Sequence, residues 1–171
     1  MELRKLHARI TSSLDDLTDE EFLAKQGEHW SPAEHIRHLV TAVRALARGM
    51  ATPKVALALR FGISFRGSRS FEEIRDLYRA ALAAGGKASG SYDPASRRID
   101  MEPEDLRAFV MQRWAKVGDE LDAAIGSWRD RALDRHRAKH PLLGLMTIRE
   151  LLYFTLYHNA HHARRISERR A

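Results

Sequence analysis

Two histidines near the C-terminal end of the chain have the spacing of a metal site. His158 and His162 lie four residues apart within the segment 147–166. Residues four apart on a helix share one face, a turn from each other. Two imidazoles placed in this way can both bind one cation, with bonds of about 2.0–2.1 Å to zinc. The same spacing also occurs in exposed histidine pairs on basic helices, so a third ligand is needed to define a site.

The helix that carries this pair has a well-marked start. Thr147 and Glu150 match the T-x-x-E pattern of a capping box, in which two side chains satisfy free backbone amides at a helix N-terminus. Core-compatible residues then follow at helical spacing and lead directly to His158 and His162. These residues are Ile148, Leu151, Leu152 and Thr155. We therefore expect both histidines to face the protein interior.

A third imidazole can come from a distant segment that also begins a helix. Ser31 and Glu34 match a second capping box, and Pro32 occupies the first helical position. In the helix that follows, His35 and His38 are three residues apart, and the apolar stripe allows either of them to face the core. The residues alone leave the choice between these two histidines open.

The two histidine segments resemble a known family. W-S-P-x-E-x-x-x-H-L, which begins at Trp30, and H-x-x-H-H-x-x-x-I, which begins at His158, are similar to motifs of the DinB/YfiT-like superfamily of metal-dependent enzymes. The resemblance implies that one divalent metal is bound by three histidines, one from the second helix and two from the last. Carried onto this chain, these ligands are His38, His158 and His162. His35 is then expected at the rim of the site.

The same resemblance implies the fold. Because the two motifs lie far apart in the chain, it covers nearly the whole sequence and implies a single DinB-like domain over residues 1–171. The expected fold is all-α, an antiparallel four-helix bundle with short extra helices between the second and third bundle helices. Apolar residues at helical spacing predict bundle helices over about residues 2–16, 32–50, 102–128 and 148–169.

The connection between the second and third bundle helices contains weaker signals. The apolar segment 55–65 is interrupted by glycine and is expected to form one or two short helices that cover part of the site. Ser70 can cap a further helix that ends at Gly85. The Gly/Ser/Pro-rich segment 87–101 could be either a lid over the site or a plain surface crossover.

Composition limits the chemistry that the chain can perform. Its 171 residues fit one domain, and it contains no cysteine. The absence of cysteine excludes disulfides, a thiolate nucleophile and Cys-ligated zinc or iron–sulfur sites. Histidine and carboxylate remain as strong ligands, which suits one ion of zinc, nickel, manganese or iron. No nucleophile elbow of the G-x-S-x-G type and no phosphate-binding P-loop is present.

Charge and hydropathy point to a protein without membrane or nucleic-acid partners. No apolar run reaches the roughly 18 residues of a membrane span, and the N-terminus lacks the apolar region of a signal peptide. We therefore expect a cytoplasmic location. The net charge is +6, but basic and acidic residues alternate along most of the chain. The basic cluster Arg164, Arg165, Arg169 and Arg170 lies where a helix C-terminus favours cations.

Other candidate residues have ordinary explanations. His136 and His140 are also four apart, but five lysines and arginines surround them, so we expect them to be solvated. His161 points away from the predicted ligands and is expected at the rim. Glu34 can cap its helix, or it can orient a ligand imidazole from behind.

Three protein ligands leave coordination positions open, which is typical of catalytic rather than structural sites. By resemblance, we expect a metal-dependent transferase that uses a low-molecular-weight thiol as cofactor, or a hydrolase, acting on a small molecule. The alternative is a non-catalytic, metal-stabilised bundle used for dimerisation or binding, with a carboxylate such as Glu34 in the fourth position. We also expect a homodimer.

Overall fold

The computed structural model describes residues 2–96 and 99–168, most of which are helical. Arg169 and Arg170 of the basic cluster lie outside this range. The elements are, in chain order, α1 (Glu2–Asp15), α2 (Asp19–Leu23), α3 (Pro32–Ala51), α4 (Lys54–Phe61), α5 (Phe71–Ala83), two 3-10 turns (Gly90–Tyr92 and Pro94–Ser96), α6 (Pro103–Gly126), α7 (Asp130–Arg135), β1 (Arg137–His140), β2 (Gly144–Thr147) and α8 (Ile148–Ser167).

The long helices α1, α3, α6 and α8 form the expected four-helix bundle. Helices α3 and α6 make the most extensive contact, and α8 packs against α1, α3 and α5. The bundle interior is filled by fully buried side chains, the largest of which are Trp114, Phe22, Leu14, Ile36 and Leu39. No helix in the described part of the chain combines the length and the apolar character needed to cross a membrane.

Local capping signals correctly predicted the starts of α3, α5 and α8. Thr18, Ser31, Ser70 and Thr147 are all N-cap residues, and each accepts a hydrogen bond from the backbone amide three residues later. The amide of Ser31, for example, donates to Glu34 Oε2 at 2.9 Å, which completes the predicted box. The start of α3, and with it the position of the first histidine, is therefore determined by local sequence.

A β-hairpin in front of α8 was not predicted. Strands β1 and β2 pair antiparallel, with Arg137 opposite Thr147 and His140 opposite Gly144. Gly144 adopts a φ of 74°, which favours glycine at this turn. Each strand has only four residues and lacks a clear alternation of apolar and polar side chains, so the sequence gives no strand signal.

Helix α4 does not cover the histidine site as expected. It packs against β1, and none of the described residues in 55–65 borders the cavity beside the histidines. That cavity is bordered instead by α5, by the start of the segment 87–101 and by the hairpin. The segment 87–101 therefore does adjoin the site, through residues that include Ser89 and Tyr92.

A buried carboxylate joins the start of α8 to the segment before α5. Glu150 is fully buried and accepts hydrogen bonds from the amides of Thr147 and Arg69, both at 2.9 Å. It also pairs with the guanidinium groups of Arg66 (2.8 Å) and Arg69 (3.0 Å). Burial raises the pKa of Glu150, but the hydrogen bonds from Arg69 and Arg66 outweigh burial and lower it to about 2. The helix that carries two of the three histidines is therefore fixed at its N-terminus by more than its cap.

Glu150→Gln should destabilise the fold, because it leaves Arg66 and Arg69 without a counter-charge. Neutralising one partner of a buried ion pair costs about 3–5 kcal/mol, and partial exposure of both arginines reduces this, so we expect a loss of about 2 kcal/mol in unfolding free energy at pH 7. The carboxylate stabilises the fold fully above pH 4.5, its ordinary pKa, and this stabilisation disappears as the pH falls through about 2.

Urea unfolding of wild type and Glu150→Gln between pH 2 and 7 tests this expectation. This pH range covers the lowered pKa of about 2 and the ordinary pKa of 4.5 of the Glu150 carboxyl group. The two stabilities should converge towards the acidic end. Glu21→Gln, which removes the same charge from an exposed capping box, is the matched control. Equal stability of wild type and Glu150→Gln at pH 7 would contradict the assigned role.

Candidate metal centre

The three histidines singled out in the sequence lie together in the bundle interior. His38 Nε2 is 2.9 Å from His158 Nε2, and His158 Nε2 is 3.2 Å from His162 Nε2. The candidate ligand atoms of all three side chains lie within 4.8 Å of one another, and all three residues are buried. The structure thus brings one nitrogen from α3 and two from α8 to a common point.

An aromatic side chain closes one side of this cluster. The ring of Trp30 stacks parallel to that of His162, with centroids 6.0 Å apart, and lies 5.1 Å from that of His38. Phe154 stacks on His158, with ring centroids 5.0 Å apart. These ring contacts restrain the planes of the imidazoles.

Hydrogen bonds behind the cluster determine which ring nitrogens carry hydrogen. His38 Nδ1 lies 2.6 Å from the carbonyl oxygen of Tyr92, which can only accept, so Nδ1 donates and the neutral ring has a lone pair on Nε2. His162 Nδ1 lies 2.8 Å from His35 Nδ1. When His162 donates to His35, its own Nε2 also carries a lone pair directed into the cluster.

Burial holds the clustered imidazoles in the neutral form. It lowers the pKa of His38, and it lowers the pKa values of His158 and His162 well below 6.5, with further lowering from neighbouring imidazoles. Neutral imidazole is the form that binds a metal. Because His38 Nε2 carries no hydrogen, at most one of the two short contacts can be a linear hydrogen bond.

Two of the three separations between the nitrogens fit a single cation. Nitrogens bonded to one ion at about 2.0–2.1 Å are about 2.9 Å apart at a 90° bond angle and about 3.3 Å apart at a tetrahedral angle. The contacts of 2.9 and 3.2 Å lie within this range. A cation at the centre would satisfy all three lone pairs at once. In the described structure, Nδ1 of His158 has no hydrogen-bond partner.

His35 is a correction to the sequence analysis. It was expected at the rim, but it is buried and contacts His162 directly. Positions 35 and 38 are about 60° apart around a helix, so both can face inward. His38 supplies the nitrogen that joins the cluster, while His35 lies behind His162 and can hold its orientation. A contact of this kind commonly strengthens metal binding by a neighbouring imidazole.

Glu34 acts as a helix cap. Its Oε2 accepts from the amide of Ser31 at 2.9 Å, and its Oε1 pairs with Lys25 Nζ at 2.7 Å. Among the described residues, the group of converging metal ligands consists of three histidines and includes no carboxylate. The capping interpretation is therefore confirmed, and the structure gives no support to Glu34 as a fourth ligand.

His140 and His136 were expected to be solvated, and this prediction was wrong. The ring of His140 packs 4.2 Å from that of Phe154, and its Nδ1 accepts from the amides of Leu142 and Leu143. Burial lowers the pKa of His140 to about 4, so the ring is neutral at pH 7 with its hydrogen on Nε2. His136 is also half-buried. The hairpin, which was not predicted from the sequence, places both side chains partly inside the fold.

A cavity of about 610 Å³ opens beside the three histidines, between α3, α5, the hairpin and α8. Its walls are largely apolar, with Leu46, Leu82, Leu151 and Phe154 among the lining residues. His161, expected at the rim, is half-buried and contributes to this lining. A small molecule in the cavity would lie directly against the histidine cluster.

Polar groups in this cavity include one that the sequence analysis did not single out. Tyr78 on α5 lines the cavity 5.9 Å from the ring of His158, and burial raises its pKa to about 12, which keeps the phenol protonated. Its position one turn after the buried Ile74 is a signal that could have identified it. Lys87, Lys139 and Arg165 also line the cavity, and none of the described lining residues is a carboxylate.

Comparison with known proteins agrees with the motif resemblance. A family model described as the DinB superfamily matches residues 2–166, and the chain belongs to that superfamily. No curated protein matches the chain. Among solved structures, it is similar to YfiT from Bacillus subtilis, described as a probable metal-dependent hydrolase with an unusual four-helix bundle topology. The two share 15% identity and a TM-score of 0.48, over 98% of this chain and 81% of YfiT.

Proposed function

We propose that this protein binds one divalent cation through the Nε2 atoms of His38, His158 and His162, and that it is a metal-dependent enzyme acting on a small molecule. The observation that carries the proposal is the convergence of three buried, neutral imidazoles beside an open cavity. The reaction is either transfer of a low-molecular-weight thiol to an electrophile or hydrolysis. Zinc, nickel, manganese and iron all suit imidazole ligands.

The ligand set favours catalysis over a purely structural role. Structural zinc sites are usually closed by four protein ligands, whereas catalytic sites keep at least one position open. In the described part of the chain, the cluster contains three candidate ligands, and the carboxylate of Glu34 is engaged elsewhere. The adjacent cavity of about 610 Å³ provides space for a substrate, which a purely structural site does not need.

The chain itself would position the substrate and control its protons. A divalent cation polarises a carbonyl oxygen and lowers the pKa of a water or thiol that approaches it. The neutral Nε2–H of His140 and the protonated phenol of Tyr78 are hydrogen-bond donors in the cavity lining. Because the sequence contains no cysteine, a reacting thiol must come from a cofactor. Lys87 and Lys139 favour anionic forms of such a molecule.

The proposal includes a homodimer in the cytoplasm. Helix α4 exposes Val55 (72%) and Leu59 (85%) on one face, and Phe65 follows at 93%. Burying such side chains contributes about 1.5–3 kcal/mol each, so a second copy of this chain that covers them would be stabilised. We place the dimer contact at these three residues.

The metal proposal can be tested by metal content. Wild-type protein purified without chelator or nickel resin should contain close to one equivalent of a transition metal by plasma mass spectrometry. His38→Ala, His158→Ala and His162→Ala should each lose most of it, because loss of a direct ligand weakens binding more than the roughly 10–100-fold that loss of a supporting contact costs. Less than about a tenth of an equivalent in the wild type is incompatible with a preorganised site.

His136→Ala, which removes a half-buried histidine outside the cluster, should keep the metal and serves as the control. His35→Phe keeps a ring of similar size but removes the acceptor for His162, so metal affinity should fall by about tenfold. Competition with a chromophoric chelator measures this change. If His35→Phe binds the metal with unchanged affinity, His35 does not support the metal site.

Two sets of assays on metal-loaded protein distinguish the reactions. In the first, several low-molecular-weight thiols are offered with one reactive electrophile; in the second, esters and amides are offered without thiol. Thiol transfer requires both thiol and metal, whereas hydrolysis requires metal alone. His158→Ala should abolish either activity. If protein that demonstrably holds its metal turns over neither set, the non-catalytic bundle becomes the better explanation.

The dimer contact can be tested by light scattering coupled to gel filtration. Leu59→Glu should convert a wild-type dimer to a monomer, because a charge in the contact must be desolvated. Leu145→Glu, which alters a partly exposed leucine of the hairpin, should leave the dimer intact. A monomeric wild type, or a dimeric Leu59→Glu variant, would contradict the proposed contact.

A further inference from the structure

A second cavity, of about 760 Å³, lies between α3, α6 and the two 3-10 turns. It shares His38, Ala45 and Tyr92 with the cavity beside the histidines, so these residues form a wall between the two. Four arginines line the second cavity, which we call the arginine cleft: Arg37, Arg44, Arg48 and Arg113.

Helix geometry places most of this charge along one line. Arg37, Arg44 and Arg48 are spaced by seven and four residues, which puts them on one face of α3. Arg44 and Arg48 are one turn apart, a rise of about 6 Å along the helix axis. Arg113 reaches the same cleft from α6.

Some arginines of the described structure pair with carboxylates. Arg66 and Arg69 pair with Glu150, for example, and Arg107 pairs with Asp19. By contrast, Arg44, Arg48 and Arg113 have no ion pair with a carboxylate among the described residues.

Carboxylates are scarce in the described lining of the cleft. Its one carboxylate among the described lining residues is Asp93, whose Oδ1 accepts a hydrogen bond from the amide of Ala95. Arg37 is half-buried and donates to the carbonyl oxygen of Pro94 at 3.1 Å, and burial lowers the pKa of its guanidinium. Partial burial of a cation beside other cations costs free energy, which a bound anion would offset.

The walls between the arginines are apolar. Val40, Ile99, Phe109 and Val110 contribute to the lining, and the guanidinium of Arg113 lies over the ring of Phe109 at 4.3 Å. A guanidinium group can bind two oxygens of one phosphate or carboxylate at once. The apolar surface between the arginines suits the hydrocarbon or aromatic part of a ligand.

We propose that the arginine cleft is a binding site for a small molecule that carries two or more phosphate or carboxylate groups on an apolar body. Arg44 and Arg48 bind its anionic groups, and Arg113 binds from the facing helix. The site adjoins the histidine cluster through His38, and its occupancy does not depend on a metal.

Isothermal titration of full-length protein tests the proposal with two probes, inorganic pyrophosphate and isophthalate, which separate the phosphate and carboxylate sources. Ionic strength is held at about 0.15 M so that screening is constant. Both wild type and His158→Ala are titrated, which excludes binding through a metal. At least one probe should saturate a single site in both proteins. Absence of saturable binding of either probe by the wild type would overturn the proposal, whatever the metal content.

Charge-matched variants locate the site. Replacing Arg44 and Arg48 together by glutamine should raise the dissociation constant by about tenfold or more, because charge-assisted hydrogen bonds are lost. Arg9→Gln with Arg131→Gln removes the same charge from exposed positions outside the cleft and should change binding less than about twofold, since surface charges are screened.

If both double variants weaken probe binding equally, the effect comes from the overall charge of the protein, and the proposed location of the site is wrong. A single-stranded DNA of 20 nucleotides serves as the competing macromolecule, because a polyanion of that length exceeds the span of the cleft. If it binds more tightly than either probe and neither probe displaces it, the small-molecule assignment fails.

Discussion

Three imidazole nitrogens converge in the bundle interior, beside an open cavity. His158 Nε2 has two neighbours, at 2.9 and 3.2 Å, and cannot satisfy both of them with one hydrogen. Protonating the cluster would relieve the conflict, but burial opposes a positive charge on any of the rings. A divalent cation shared by the three nitrogens would remove the conflict, because each nitrogen would direct a lone pair at the ion. The arrangement of the surrounding elements follows from this requirement.

Two of the three rings have a contact at the nitrogen that faces away from the cluster. The carbonyl of Tyr92 sets the tautomer of His38, and His35 contacts the outer nitrogen of His162. The helices themselves are fixed at their N-termini, α3 by the box of Ser31 and α8 by Glu150 with its two arginines. Such preorganisation limits the freedom that the ligands would lose on binding. One side of the cluster faces an open cavity rather than a fourth protein ligand.

The parts of this arrangement that depend on local sequence could be predicted, and the parts that depend on distant contacts could not. Capping pairs three residues apart predicted the starts of helices. The spacing of the two motifs predicted which three histidines cluster. The two arginines on Glu150 lie more than 80 residues away from it in sequence, with no local signal for the contact. The hairpin has the same limitation, so the burial of His140 was missed. His35 was misplaced because a helix face wide enough for one histidine also accommodates its neighbour three residues away.

X-ray absorption at the zinc edge of zinc-loaded wild-type protein tests the central claim most directly. The account expects a first shell at about 2.0–2.1 Å, with outer-shell scattering that requires three imidazole rings on one ion. A spectrum fitted by one ring or none, with oxygen scatterers in the remaining positions, would contradict the assignment of His38, His158 and His162 to a shared metal.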